Sequence, residues 1–373
     1  MTWKRFFAGG VALAAWMAFL AASAHGQGMQ GPIAPKPGVT IQQAPQNPIR
    51  VRVALVNAPV AVTDAKGELV MNLEQKDFHV FDEGVAQNVE SFDLGGEPLS
   101  AVLVFETSSR IAPLRPAVQK SAIVFTQTVV GPEGDAAVLA YDDDVEHLLD
   151  FTTDHDQIEK TIGSLQTGTS GIRLYDALSS AVDMLRNRPP ARRRVIIVVG
   201  EARDSGSEEK LGEVLREAQL SNIVIYSVGL SATSAGLRSQ PDQRGPIQAT
   251  PPGTFGLPPI PGTPQTPTTE EQRSNGIDLL ALAEWAVRNA VASVKDRPLE
   301  VAAVATGGMY QPTFRDRTIE KAVDAIGGEL NAQYTLSYRP TGSDSAGYHK
   351  IKVTVDRPGV KVRSRPGYYL DDK

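Results

Sequence analysis

The sequence predicts an α/β fold, a doubly wound and mostly parallel sheet joined to a small antiparallel β domain formed by both chain ends. Three observations carry that expectation. Between about residues 98 and 330, continuous apolar runs alternate with helical periodicity, as expected for strands covered on both faces. Before and after that stretch, apolar and polar residues alternate singly, as expected for strands with one wet face. Neither end alone supplies enough strands for a stable sandwich, and separating them would leave edges unpaired.

The 373 residues suffice for about two domains. With 41% hydrophobic and 21% charged residues and a net charge of -6, the composition is that of a globular protein and speaks against a nucleic-acid partner. At the start, Lys4 and Arg5 precede an apolar run from Phe6 to about Ala22, and Ala22-Ser23-Ala24 follows, so residues 1–24 read as a secretory signal peptide. The run is close to spanning length, and a retained anchor is the other reading. The chain has no cysteine, so an exported form would be a periplasmic or extracellular bacterial protein without disulfides. Residues 25–48 are rich in Gly, Pro and Gln and read as a flexible linker.

Residues 49–97 begin the β domain. "VRVALVNAPVAVTD" alternates, "KGELV" follows a turn, and "DFHVFDEGVAQNVESF" reads as two short strands around Asp82-Glu83-Gly84. Residues 98–330 hold the parallel sheet. Its strands are "AVLVF", "DAAVLAYDDD", "VEHLLDF", "RRVIIVVG" and "IVIYSVGL", separated by helical patterns such as "LYDALSSAVDMLRNR" and "EEKLGEVLREAQLSN". "PLEVAAVATGGMYQP" reads as helical to Thr306, turning at Gly307-Gly308, and "RTIEKAVDAIGGELNAQ" follows as a helix. Residues 231–276 interrupt this part with a Pro-, Gly- and Thr-rich stretch, expected as a disordered insertion. Residues 331–373 return to alternation in three strands, "AQYTLSYRP", "HKIKVTVDRP" and "VKVRSRPGYYL".

Ligands of open α/β sheets bind beyond the carboxyl ends of the strands. Two strands here end in carboxylates. Glu106 is followed by Thr107, Ser108, Ser109 and Arg110, and Glu201 has Asp204 three residues on. A third loop, "QTGTSGIRLYDALSS", supplies Thr167, Thr169 and Ser170.

The order of "PLSAVLVFETSSR", "RLYDAL" and "RRVIIVVGEARDSGS" resembles a von Willebrand factor type A domain, a Rossmann-type fold. With "DFHVFDEGVAQNVESF" before it and "RPGVKVRSRPGYY" after it, the chain from about Val51 to Leu370 is similar to the VWFA-related family described from acidobacteria. That resemblance implies a metal-ion-dependent adhesion site, built from Asp-x-Ser-x-Ser, a middle Thr and a later Asp, which holds Mg²⁺ or Mn²⁺ for a partner's carboxylate to complete. The present chain departs from it. Glu106 stands for the first Asp, Ser108 keeps the first Ser, Arg110 replaces the second, Ile172 takes the Thr position with Thr169 three residues away, and Glu201 replaces the last Asp. Arg110 brings a permanent cation where a divalent ion belongs. The site therefore reads as degenerate, with no metal, or with Mg²⁺ or Mn²⁺ held weakly by Glu106, Ser108 and Glu201.

Other motifs lead elsewhere. Asp142, Asp143 and Asp144 read as a solvated hairpin turn, and the five histidines lack zinc spacing. Neither G-x-S-x-G nor a phosphate-loop pattern occurs. Arg192-Arg193-Arg194 precedes a strand and belongs at the end opposite the site. The expected function is that of a non-enzymatic, exported adhesion-type module. Its binding rim comprises Glu106, Ser108, Arg110, Thr169 and Glu201, its partner is a protein or cell-surface ligand presenting an acidic group, and it touches membrane only if the signal segment is retained. The alternatives are an envelope enzyme using Glu106 and Glu201 as acid and base, and a purely structural envelope component.

Overall fold

The computed structural model describes residues 55–231 and 297–370, apart from 96, 190, 314–316 and 342–345, together with 280, 283, 284 and 287. The signal peptide, the linker and nearly all of the 231–276 insertion lie outside the described residues. Among the described residues, no helix is long and apolar enough to cross a membrane.

The chain enters through β1 (Val56–Thr63), β2 (Phe78–Asp82), β3 (Val85–Gln87) and β4 (Val89–Leu94). β5 (Leu99–Glu106) then starts the central sheet. A 3-10 turn at Ser109–Leu114 runs into α1 (Arg115–Lys120) and α2 (Ala122–Val124), and a widened turn over Phe125–Val130 ends at Gly131. β6 (Asp135–Tyr141), β7 (Val145–Thr152), α3 (His155–Gly163) and α4 (Leu174–Arg186) follow. Next come β8 (Arg193–Glu201), α5 (Leu211–Leu220), β9 (Ile223–Leu230), α6 (Pro298–Thr306), β10 (Tyr310–Pro312) and α7 (Arg317–Ala332). The chain closes with β11 (Tyr334–Tyr338), β12 (Gly347–Val355), β13 (Lys361–Ser364) and β14 (Gly367–Leu370).

The central sheet has six strands in the order β10-β9-β8-β5-β6-β7, parallel except for the β6–β7 hairpin. β5 lies at its middle and is buried throughout. Ala101, Leu103 and Phe105 pack into one core with α1, α3 and α7, while Val102 and Val104 pack into the other with α4, α5 and α6. This is why its sequence is an unbroken apolar run: successive side chains face opposite cores, and each fully buried large side chain stabilises by about 1.5–3 kcal/mol.

Both chain ends contribute to two antiparallel sheets, ordered β13-β1-β11-β4 and β14-β12-β2-β3. Two details differ from the sequence reading. The segment "DFHVFDEGVAQNVESF" forms three strands, with β3 and β4 in different sheets on either side of Asn88. The last alternating segment likewise divides, β13 pairing with β1 and β14 with β12. Between them stand Arg365, which is buried, and Pro366, which has no N–H to extend a ladder. Asp82 clasps the two sheets. It is 3% exposed and accepts hydrogen bonds from Tyr338 Oη at 2.9 Å and Tyr368 Oη at 2.7 Å.

The "GGMYQP" turn also does more than reverse the chain. Gly307 adopts φ +84°, and the residues after Gly308 add β10 to the sheet edge, parallel to β9.

Candidate functional site

β5 and β8 are parallel neighbours in register Phe105↔Val199, so their carboxyl ends deliver Glu106 and Glu201 side by side. β6, on the other side of β5, places Tyr141 opposite Glu106. The sheet order thus brings together three polar groups more than thirty residues apart in sequence.

Glu106 is 2% exposed. Its carboxylate accepts a short hydrogen bond from Ser108 Oγ and one from the Glu201 backbone N–H at 2.6 Å. Burial raises its pKa above the usual value of 4.5, and the nearby Glu201 charge adds to this. The Ser108 and Glu201 N–H hydrogen bonds and Arg110 oppose it. Glu201, whose side chain is 8% exposed, accepts from Arg110 Nε at 2.7 Å. Arg110 is 38% exposed on its side-chain atoms. Its two terminal Nη atoms make no hydrogen bond among the described residues, so the four N–H donors they carry remain toward solvent.

The loop before α4 docks on the rim through its backbone. Ser109 N–H donates to Thr169 O at 2.6 Å, and Gly168 N–H to Thr107 O at 2.8 Å. The Thr169 hydroxyl accepts from Asp143 N–H at 3.2 Å, and the Thr169 N–H donates to Asp142 at 2.7 Å. The Asp142–Asp144 turn therefore holds this loop while capping the β6–β7 hairpin. Thr167 accepts from Arg115 at 2.6 Å, and Asp204 accepts from Ser207 Oγ and the Tyr175 N–H, tying its loop to the start of α4.

Tyr141 is a site residue that the sequence reading did not single out, because a Tyr ending a buried run reads as core. Its hydroxyl is buried with no hydrogen-bond partner among the described residues. Burial first, then the neighbouring Glu106, Asp204 and Glu201 charges, push its pKa well up. Gly200 makes room for it: a Cβ there would lie 2.2 Å from Tyr141 Oη and 2.8 Å from Glu106 Oε2.

These residues do not suit a divalent cation. A hard ion needs several oxygens at about 2.0–2.6 Å. Glu106 is committed to Ser108 and a backbone N–H, Glu201 holds a guanidinium, and Ile172 is buried in the core at the Thr position. Among the described residues no group of three or more His, Cys, Asp or Glu side chains is placed to hold a metal. Four cavities among the described residues, of about 250 to 910 Å³, are lined by residues other than Glu106 and Glu201. The three arginines at 192–194 lie at the opposite end of the sheet, where Arg192 bonds Leu99 O, Arg193 bonds Leu330 O and Arg194 bonds Ser221 O.

Residues 106–203 match the family model of the von Willebrand factor type A domain. No curated protein matches the sequence. Among solved structures, the conserved hypothetical protein BatB from Bacteroides thetaiotaomicron is similar at 13% identity and TM-score 0.38, over 62% of this chain and 98% of its own. Three N-terminal domains of the type V pili tip protein Mfa5 from Porphyromonas gingivalis align at 18% identity and TM-score 0.27, over 40% and 26%. Proximal thread matrix protein 1 from the mussel byssus aligns at 12% identity and TM-score 0.40, over 67% and 49%.

Proposed function

We propose that this chain, whose residues 106–203 match the von Willebrand factor type A family model, is a non-enzymatic binding module that captures an acidic group of a protein or cell-surface partner through Arg110. The observation that carries this reading is the Arg110–Glu201 pair: one guanidinium nitrogen is held by a buried carboxylate and the terminal nitrogens are left toward solvent. An anchored, planar fork is suited to bidentate recognition of a carboxylate, and its orientation is set before the partner arrives. Glu106 and Ser108 support the anchor from below, Glu106 through the Glu201 N–H, and Thr169 braces the adjoining loop. In this reading the two antiparallel sheets, built from β1–β4 and β11–β14, form a platform for the central-sheet domain. The chain is exported by residues 1–24 and works in the periplasm or outside the cell.

The test is capture of envelope proteins and of acidic peptides by the immobilised chain. Wild type should retain a partner equally with and without EDTA, and Arg110→Glu should release it while remaining folded. Capture that survives Arg110→Glu, or that EDTA abolishes, contradicts the proposal. N-terminal sequencing of the mature protein from cell fractions tests export.

A further inference from the structure

At the end of the central sheet opposite the rim, a cavity of about 250 Å³ separates β8 and the start of β9 from the antiparallel strands. Arg192, Arg193, Arg194 and Arg365 all line it, with Gln333 and Asn222 between them. Glu97 is the one carboxylate among its lining residues.

Much of this donor capacity is used. The Arg192 guanidinium bonds Ser100 Oγ and Leu99 O and pairs with Asp135. Arg193 bonds Leu330 O and Gln333 Oε1, and the terminal nitrogens of Arg194 bond Ser221 O and Arg188 O. Three donors are left over. Arg365 Nε, Arg194 Nε and Gln333 Nε2 are buried with no acceptor in reach among the described residues.

Arg365 is the most exceptional of them. It is 4% exposed, and among the described residues its side chain makes one hydrogen bond, a long one of 3.5 Å to Asn222 Oδ1, and no ion pair. The Tyr368 ring, 5.7 Å away, offers a weak π contact. Burial lowers its pKa to about 10, which leaves it charged at neutral pH. The Asp82 carboxylate acts on it only beyond ion-pair distance; a buried cation with no directly paired carboxylate is unfavourable, and a water molecule would supply an acceptor but no charge.

We infer that this cavity binds a small oxoanion, of phosphate, sulfate or carboxylate type, with Arg365 and Arg194 as charged donors and Gln333 as a neutral one. A volume of about 250 Å³ is several times the roughly 30 Å³ share of a water molecule, so a phosphate-sized group fits with some solvent. The site lies at the far end of the sheet from Arg110 and stands whether or not the rim binds a partner.

Thermal unfolding of the full chain at constant ionic strength, titrated with inorganic phosphate, sulfate and acetate against chloride, tests the inference. At least one anion should raise Tm saturably, by about 5 °C at roughly a hundredfold excess over Kd, and the anion that does so identifies the class. Gln333→Glu keeps an acceptor for Arg193 and builds a carboxylate into the cavity, so it should raise Tm without added anion and cancel the anion response. Arg365→Met should lose the response and, without anion, unfold no earlier than wild type. If none of the three anions moves Tm beyond the chloride control, or if the shift persists in both variants, the inference is wrong.

Discussion

Arg110 Nε lies 2.7 Å from Glu201 Oε2, a guanidinium paired with a buried carboxylate at the rim of the central sheet. Cutting that pair tests whether Arg110 stands in for a metal ion. In Arg110→Ser the cation is gone, a hydroxyl stands two residues after Ser108, and Glu106 and Glu201 face one another uncompensated. We expect calorimetry to detect Mn²⁺ binding to Arg110→Ser, strengthened by adding Ile172→Thr, and none to wild type. Equal Mn²⁺ binding by wild type would show that Arg110 does not replace the ion. Without metal, Arg110→Ser should lose about 1–2 kcal/mol of stability, the low end for stranding a buried partner because Arg110 is partly solvated.

Glu106 sets a pH dependence whose sign follows from its raised pKa. The folded state holds this proton more tightly than the unfolded chain does, so the contribution is fully present below the ordinary pKa of 4.5 and is lost as pH rises through the folded value. Glu106→Gln removes the titration and keeps the shape. Denaturant unfolding between pH 4 and about 8 should therefore show wild-type stability falling relative to Glu106→Gln as pH rises. A difference independent of pH would contradict the assignment. Asp204, whose pKa is also raised by burial, cancels in this comparison.

Gly200 and Tyr141 should be coupled. Gly200→Ala forces a methyl group against the Tyr141 hydroxyl and the Glu106 carboxylate and should cost about 1–3 kcal/mol. Tyr141→Phe removes a buried hydroxyl that has no partner and should be neutral or stabilise by about 1 kcal/mol. In the Tyr141→Phe background the cost of Gly200→Ala should shrink. Strict additivity in the double-mutant cycle would rule out the contact.

Between the two antiparallel sheets, Tyr338→Phe should cost about 2 kcal/mol, because it deletes a hydrogen bond to the buried Asp82 carboxylate. Asp82→Ala should cost more, since it leaves the hydroxyls of both Tyr338 and Tyr368 without that acceptor. Equal unfolding midpoints for wild type and Asp82→Ala would show that Asp82 does not clasp the sheets.

How much of this was legible depends on the range of the forces involved. β5, β6, β8 and β9 could be read directly, because a strand buried on both faces must be apolar at every position, and that is a local property. The departure at Arg110 was legible for the same reason: a charge at a named position needs no neighbour to be noticed. The divisions at Asn88 and at Arg365-Pro366 were not. One alternating segment looks the same whether it serves one sheet or two: β4 and β13 find partners more than two hundred residues away, while β3 and β14 pair with strands close by in sequence. Tyr141 was missed because its register opposite Glu106 is a pairing fact.

The sequence by itself determined the fold class, the contribution of both chain ends to antiparallel sheets, and the set of side chains at the strand ends, since periodicity and residue chemistry are written position by position. Only the tertiary structure decided that Arg110 turns to Glu201, that Glu106 is sealed under Ser108 and the Glu201 N–H, and that Arg365 is buried among other donors with no ion-pair partner among the described residues. The physical reason is that burial and hydrogen bonding belong to pairs of groups. Which pairs form depends on the strand order that brings distant segments to the same edge.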